Sequence, residues 1–287
     1  MTEEKKDIQI KDVKDILGLM NRVNETFAYE VWIPSLNKNV MFRELNTSQQ
    51  KRLIKSVIDS PIYNTEFIFA ITQIIKENCA DSSVNVEELT AMDKIFICLK
   101  MRAISVNDTY EMTFKGFGKE YKRGISLTKV YDEAKEKVDT EKLVEKTFSS
   151  SAYEIHCGLP TLKTEYNLET QLRNVHSQEV NRTPEGLRKV IGEVFINELL
   201  RHIRGITIKA EEQDIKIDFN DDLTYQNRIS IIEQIPVKLL DQVLTYIKSV
   251  KKEIEQVNII ETELKEGDKI EKVKEVLTID GSFFINS

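Results

Sequence analysis

The sequence predicts an α+β fold, a mainly helical body with a small antiparallel sheet of hairpins packed against the helices. Three observations predict it. Long segments carry apolar residues at the spacing of one helical face, and short alternating segments come in pairs joined by polar or glycine-containing turns. At 287 residues and 40% apolar content, the chain can bury one substantial core or two modest ones. Ten Gly and five Pro are few for this length, which disfavours low-complexity and linker-rich architectures. The expected organisation is an N-terminal helical arm over residues 1–24, an α+β region over 25–160, and a mainly helical region over 161–287 that ends in a hairpin and an apolar tail.

The arm contains an amphipathic helix from Lys11 to Val23, with Ile8, Val13, Ile16, Leu19 and Met20 at helical spacing. Such an arm docks on its own domain or on a neighbour. Tyr29 to Leu45 reads as strand, polar turn and strand, and the chain enters helix at Asn46-Thr47-Ser48. That helix carries Leu53, Ile54, Val57 and Ile58 on one face and is stopped by Pro61, whose ring disfavours helix in the preceding residue. A second helix carries Phe67, Ile71, Ile74 and Ile75. The third, Val86 to Ile104, is apolar on nearly all sides at Ile95-Phe96-Ile97-Cys98-Leu99 and is therefore expected to be central and buried.

Thr109 to Lys115 and Glu120 to Ser126 alternate on either side of Gly116-Phe117-Gly118, a β-hairpin pattern. Leu127 to Lys146 is highly charged and predicts one or two surface helices. Tyr153 to Cys157 alternates again, and these pieces are expected to pair with the first hairpin in one antiparallel sheet. Thr183-Pro184 starts a helix whose stripe runs through Leu187, Val190, Ile191, Val194, Phe195, Leu199 and Ile203. Asn220-Asp221-Asp222 caps another helix, and Pro236 opens a third that runs to about Glu255 with Leu240, Val243, Leu244, Ile247 and Val250 on its apolar face. Val257 to Leu264 and Lys272 to Ile279, joined by Lys265-Glu266-Gly267-Asp268, predict a terminal hairpin.

The balance is acidic, net −7, with Lys and Glu interspersed. A nucleic-acid surface needs a concentrated positive patch, and the densest basic runs, Lys119 to Arg123 and Lys248 to Lys252, sit among acids as solvated faces do. No apolar stretch approaches the roughly 18 to 20 residues needed to cross a bilayer, and no early apolar run follows a basic start. Secretion and membrane insertion are therefore disfavoured. Cys79, Cys98 and Cys157 are odd in number, far apart and set in apolar surroundings, as expected of reduced core cysteines in a protein made in a cytoplasm.

The motifs of chemistry are missing. None of the three histidines has metal-ligand spacing with Cys or carboxylates. His156 and Cys157 are neighbours on a strand, so they point to opposite faces and make no thiol–base pair. His176 and His202, flanked by Arg173, Arg201 and Arg204, read as surface or interface residues. Gly116-Phe117-Gly118 lacks the third glycine, the following helix and the Lys-Ser/Thr pair of a phosphate loop. Asp221-Asp222 is explained by capping and the helix dipole. No catalytic residue, cofactor or metal site is expected.

Above this background stand Trp32, Arg43, Asp93, Arg102, Phe283 and Phe284, as structural or interface candidates. Residues 93 and 102 are nine apart and lie on opposite faces of a straight helix, so each needs another partner. Arg43 is expected to pair with Asp93 or a loop carbonyl and lock the strands onto the helices; the alternative projects Arg43 or Arg102 into a subunit contact. Strand alternation puts Trp32 opposite Val31 and Ile33, where core burial is preferred to an exposed anchor. The tail Ser282-Phe283-Phe284-Ile285 is expected to dock on this subunit or a neighbour, because chain ends fray unless tied down.

The order of pieces from Tyr29 to Val106 resembles the baseplate proteins of T-even-like contractile-tailed bacteriophages, in particular the hub and hub-assembly subunits. Their shared module is an extended segment, a turn, Phe/Tyr-Arg, three helices and a closing Arg, matched here by Phe42-Arg43 and by Lys100-Met101-Arg102-Ala103-Ile104-Ser105-Val106. The resemblance spans roughly residues 25 to 107 and is looser beyond. It implies a non-enzymatic structural protein of the tail baseplate, carried in the virion and assembled in the host bacterial cytoplasm. Its partners would be other baseplate and tail proteins in a large hetero-oligomer, with no nucleic acid and no membrane span. Arg43 and Arg102 would be structural residues. The alternatives are an assembly factor or chaperone absent from the virion, and a small cytoplasmic enzyme whose site is gathered from scattered residues.

Overall fold

A computed structural model of the chain describes residues 12–59, 65–176, 195–211, 213–219 and 223–285. Helix α1 (Val13–Thr26) leads into strands β1 (Ala28–Ile33) and β2 (Lys38–Arg43), paired antiparallel from Ala28↔Arg43 to Ile33↔Lys38. The turn between them is a short 3-10 segment, Pro34–Leu36, closed by Asn37 in the left-handed region at φ 46°. Asn tolerates that conformation because its short amide bonds locally. Val31, Ile33, Val40 and Phe42 alternate along the two strands and are all buried.

Helices α2 (Thr47–Asp59), α3 (Thr65–Asn78) and α4 (Ala91–Ser105) follow. Asn46 and Gln49 exchange side-chain to backbone hydrogen bonds at the start of α2, at 2.9 and 3.1 Å. α4 is buried all round, from Met92 and Asp93 through Ile95–Leu99 to Met101 and Arg102. It starts later than the expected Val86, because Thr90 and Asp93 form a capping box there and Val86–Glu88 is a separate 3-10 turn. Pro61 lies outside the described residues.

Strands β3 (Thr109–Gly116) and β4 (Lys119–Ser126) form the expected hairpin, with Phe117 and Gly118 at φ 49° and 70°. Two positive φ values in a two-residue loop match the right-handed twist of the strands. Helix α5 (Leu127–Lys137) is not merely a surface helix: Leu127, Val130, Tyr131 and Ala134 are buried, and it packs on α4. Strands β5 (Lys146–Ser149) and β6 (Tyr153–Cys157) and helix α6 (Leu162–His176) complete this half.

The sheet departs from expectation. β6 does not join the β3–β4 hairpin; it pairs with β5 and with β7 (Ile203–Ile208), and β8 (Ile215–Asp218) completes a four-stranded antiparallel sheet. The last region is therefore less purely helical than its periodicity predicts. Residues 195–202 are helical, named α7 here, but Ile203 begins β7 instead of continuing the stripe. Thr183 to Val194 and Asn220-Asp221-Asp222 lie outside the described residues; the cap observed on helix α8 (Tyr225–Glu233) is Thr224.

Helix α9 (Val237–Asn258) buries Leu239, Val243, Tyr246, Ile247 and Val250 and leads into the terminal hairpin, β9 (Ile259–Glu266) and β10 (Lys269–Val276). That hairpin packs on β3: Glu271 accepts from the Phe117 amide at 2.6 Å. Gly281–Phe284 then forms a final 3-10 turn against α2. The described elements thus make an α+β body with small antiparallel sheets packed against helices.

One charge cluster joins α7 to α9. Glu198 lies 2.9 Å from Lys251 and 3.4 Å from His202. Burial alone would raise the Glu198 carboxyl; hydrogen bonds from His202 and Lys251, with their charges, outweigh it and hold the group down at about 2. A folded value below the unfolded one means that ionised Glu198 stabilises the fold at neutral pH. That contribution fades as pH falls from about 4.5 toward 2. Thermal unfolding followed by circular dichroism should show Glu198→Gln about 1 kcal/mol less stable at pH 7, with a shallower acid-side decline than the wild type. Identical acid-side slopes would contradict the assignment.

Candidate functional site

Among the described residues, the buried charges Asp93 and Arg102 bind other segments of their own chain. Asp93, wholly buried, accepts from the Thr90 amide at 2.6 Å and its hydroxyl at 2.8 Å, and its other oxygen accepts from the Ser35 amide at 2.9 Å. It caps α4 and pins the β1–β2 turn to that cap. Arg43 therefore does not meet Asp93; it donates to the Glu77 carbonyl at the end of α3, at 3.4 Å. The expected lock between strands and helices runs through two separate residues.

Arg102, in the last turn of α4, is almost fully buried. Its Nε donates to the Phe283 carbonyl at 2.5 Å and its Nη1 to the Asn107 carbonyl, with Thr109 O at 3.5 Å. The guanidinium lies 4.9 Å from the Tyr110 ring centre and 5.5 Å from that of Phe283. Burial pushes its pKa below the ordinary arginine value, while Tyr110 and Asp108 pull the other way. A planar fork with several donors suits this arrangement of carbonyls, which a lysine ammonium would not match.

Phe283 and Phe284 are fully buried in the same place. Phe283 meets Tyr110 at 5.2 Å between ring centres, Phe284 meets Phe67 at 6.3 Å, and Gln50 donates to the Phe284 carbonyl at 3.3 Å. Asp280 caps the turn by accepting from the amides of Ser282 and Phe283. Gly281 is required by closeness: a Cβ there would sit 2.2 Å from Val57 Cγ2 and 2.9 Å from the Leu53 carbonyl. Of the two expected places for the tail, it occupies its own subunit.

Trp32 is half-buried, edge-on to Phe96 at 5.3 Å, with Lys135 Nζ 5.5 Å from its ring centre. Its amide donates to the Tyr131 hydroxyl at 2.7 Å. His156 is held between the hydroxyls of Thr147 and Thr207, both at 3.0 Å, while burial pushes the Cys157 thiol up to about 12. Cys98 is likewise pushed up to about 12 by burial, chiefly, and Cys79 is raised. Such thiols are poor nucleophiles. His202 Nδ1 faces the Gly158 carbonyl at 3.1 Å, and His176 ends α6. Among the described residues no group of three or more His, Cys, Asp or Glu is placed to hold a metal ion.

A cleft of about 490 Å³ opens between the β1–β2 turn, the segment before β5 and the start of β7, lined by Pro34, Glu88, Glu141, Val144, Leu159 and Arg204 among others. Arg204 was legible only as a neighbour of His202; a charge inside the apolar alternation of β7 was the signal for it. Its Nη2 donates to the Leu159 carbonyl at 2.5 Å and its Nη1 reaches Thr161 and Thr164 at 3.4 and 3.3 Å. Of the hydroxyls that line the cleft, that of Thr90 is engaged by Asp93 as part of the α4 cap.

Replacing Arg102 by Met leaves buried carbonyls unsatisfied and loosens the tail, so urea unfolding should show a loss of about 3–5 kcal/mol. Arg102→Lys should recover little of it. Arg43→Met should cost about 1 kcal/mol or less. Equal losses at the two positions would contradict the different roles assigned to them.

No described helix is long and apolar enough to cross a membrane. Comparison with curated proteins and with solved structures yields no match. The model of the family described as T4 bacteriophage base plate protein matches residues 26–278, which take in every strand described above and every helix from α2 onward. The chain therefore belongs to the T4 bacteriophage base plate protein family and is a phage baseplate protein.

Proposed function

We propose that this protein is a hub or hub-proximal subunit of a contractile-tail baseplate, acting through protein–protein interfaces in tail assembly and infection and not through catalysis. The observation that carries the reading is the family match over residues 26–278. It is supported by the way Asp93, Arg102 and Arg204 direct their polar atoms into their own chain, as expected of a body that must hold its shape between neighbours. The module resemblance over residues 25 to 107 favours the hub group within the family. In this reading residues 1–24 are an arm, 25–160 the baseplate-type unit and 161–287 a region that buttresses it. The protein is made and assembled in the host bacterial cytoplasm and stays in the virion tail, bound to other baseplate and tail proteins.

A second reading, an assembly factor that leaves before the particle is finished, is favoured by the exposed apolar side chains of α1, which suit transient capture of partners. Sedimentation of a phage lysate through a density gradient, followed by mass spectrometry of the fractions, separates the two. The hub reading predicts stoichiometric co-migration with intact tailed particles. Recovery only with tail precursors or in light fractions would overturn it in favour of the assembly factor.

A further inference from the structure

Two strands leave one side unpaired. β3–β4 and β9–β10 are separate two-stranded sheets, so β4 and β9 each present an edge of eight residues. Among the described residues, no backbone hydrogen bond from outside its own hairpin reaches Glu120 to Ile125 or Ile260 to Glu266. An edge of that length is a template for another strand unless it is covered or made repulsive.

The two hairpins already form two layers. Met112 and Phe114 on one, and Ile260, Leu264 and Val273 on the other, are buried. A Cβ on Gly116 would sit 2.6 Å from Leu264 Cδ1, a measure of how closely the layers meet. β3 packs on β10, and Lys119 meets Glu266 at 2.5 Å where the two turns lie together. β4 and β9 therefore lie on the same side of the stack, with their free edges facing the same way.

The backbone fixes which groups those edges offer. Each loop holds two residues, 117–118 and 267–268, and such a loop closes on a pair that exchanges both hydrogen bonds, Gly116 with Lys119 and Glu266 with Lys269. Alternation from those pairs turns outward the backbone groups of residues 120, 122, 124 and 126 in β4 and of 259, 261, 263 and 265 in β9. Antiparallel pairing of β4 with β9 of another copy, in full register, sets these groups opposite one another. It also keeps the two buried faces level, with Tyr121 beside Leu264 and Ile125 beside Ile260.

Charge selects the partner and the register. β4 carries Lys119, Glu120, Lys122 and Arg123, and β9 carries Glu261, Glu263, Lys265 and Glu266. In full register Lys119, Glu120 and Lys122 of one copy face Glu266, Lys265 and Glu263 of the other, and no like charges are opposed. A slip of two residues sets Glu120 against Glu263 in one direction and Lys122 against Lys265 in the other. β4 against its own copy centres on Lys122 or Arg123 facing itself, and β9 against its own copy opposes Glu263 to Glu261 or to itself. These charges are exposed, so they set register, while main-chain hydrogen bonds hold the strands.

We propose that two copies of this chain pair edge to edge about a twofold axis running along the strands, β4 of each with β9 of the other, turning the two hairpin layers into two four-stranded sheets. The symmetry makes the contact twice, giving about sixteen main-chain hydrogen bonds where an ordinary interface has about ten. The pairing goes beyond the hub reading and does not depend on it, since it concerns the purified chain alone.

Sedimentation equilibrium of the full-length protein at tens of micromolar tests it. The wild type should have twice the 33.3 kDa mass of one chain. Lys122→Glu and Glu263→Lys should each weaken the pairing about tenfold or more, because each opposes like charges in both contacts, while near-ultraviolet circular dichroism stays native. The double variant Lys122→Glu, Glu263→Lys should regain the wild-type affinity. A wild type of any other mass would overturn the proposal. So would a two-chain wild type indifferent to both reversals, or a double variant that pairs no better than the single ones.

Discussion

The guanidinium of Arg102 is the tie on which the rest of this structure depends. Removing a cation from water is costly, and the cost is tolerated only where its donors are met. Here they are met by carbonyls and aromatic faces from segments far apart in sequence: Asn107 and Thr109 just after α4, Tyr110 at the start of β3, and Phe283 near the chain end. The cation thereby fixes three directions at once, where α4 stops, where the β3–β4 hairpin leaves, and where the last turn settles on α2. No described carboxylate forms an ion pair with it, so its position is set by backbone geometry.

Asp93 does the matching work at the other end of α4. An acid in the first turn and a base in the last oppose the helix dipole at both ends, and each also binds a segment outside the helix. Between them Ile95, Phe96, Ile97, Cys98 and Leu99 are covered on every side by β1, α5 and their neighbours. α4 is thus an apolar spindle with a charged fitting at each end.

Local patterns were legible in the sequence, and pairings across it were not. Alternation and turn chemistry located β1 to β4 and the terminal hairpin, because those contacts lie between residues close in sequence. The four-stranded sheet escaped because β7 begins at Ile203, four residues after Leu199, a spacing that continues a helical stripe; only pairing with β6 and β8 makes it a strand. The sequence marked Arg43, Asp93 and Arg102 as charges in apolar settings but could not name their partners. Apart from the Thr90 hydroxyl, the partners named above are backbone groups, among them the Ser35 amide and the carbonyls of Glu77, Asn107 and Phe283, which every residue type carries alike. The double phenylalanine of the tail signalled docking, while its site depended on Gly281 and the groove of α2.

In this phage baseplate protein the buried side chains of Asp93 and Arg102 are occupied in shaping the chain. The tail, Arg102 and α4 are interlocked as one unit. Hydrogen exchange compared between the full chain and a chain ending at Ile279 tests this most directly. If the unit is as described, removing the tail speeds exchange at the end of α4, the start of β3 and the tail-facing side of α2, while the β5–β8 sheet is unchanged. Exchange that is unaltered in those three segments, or faster everywhere to the same degree, would contradict it.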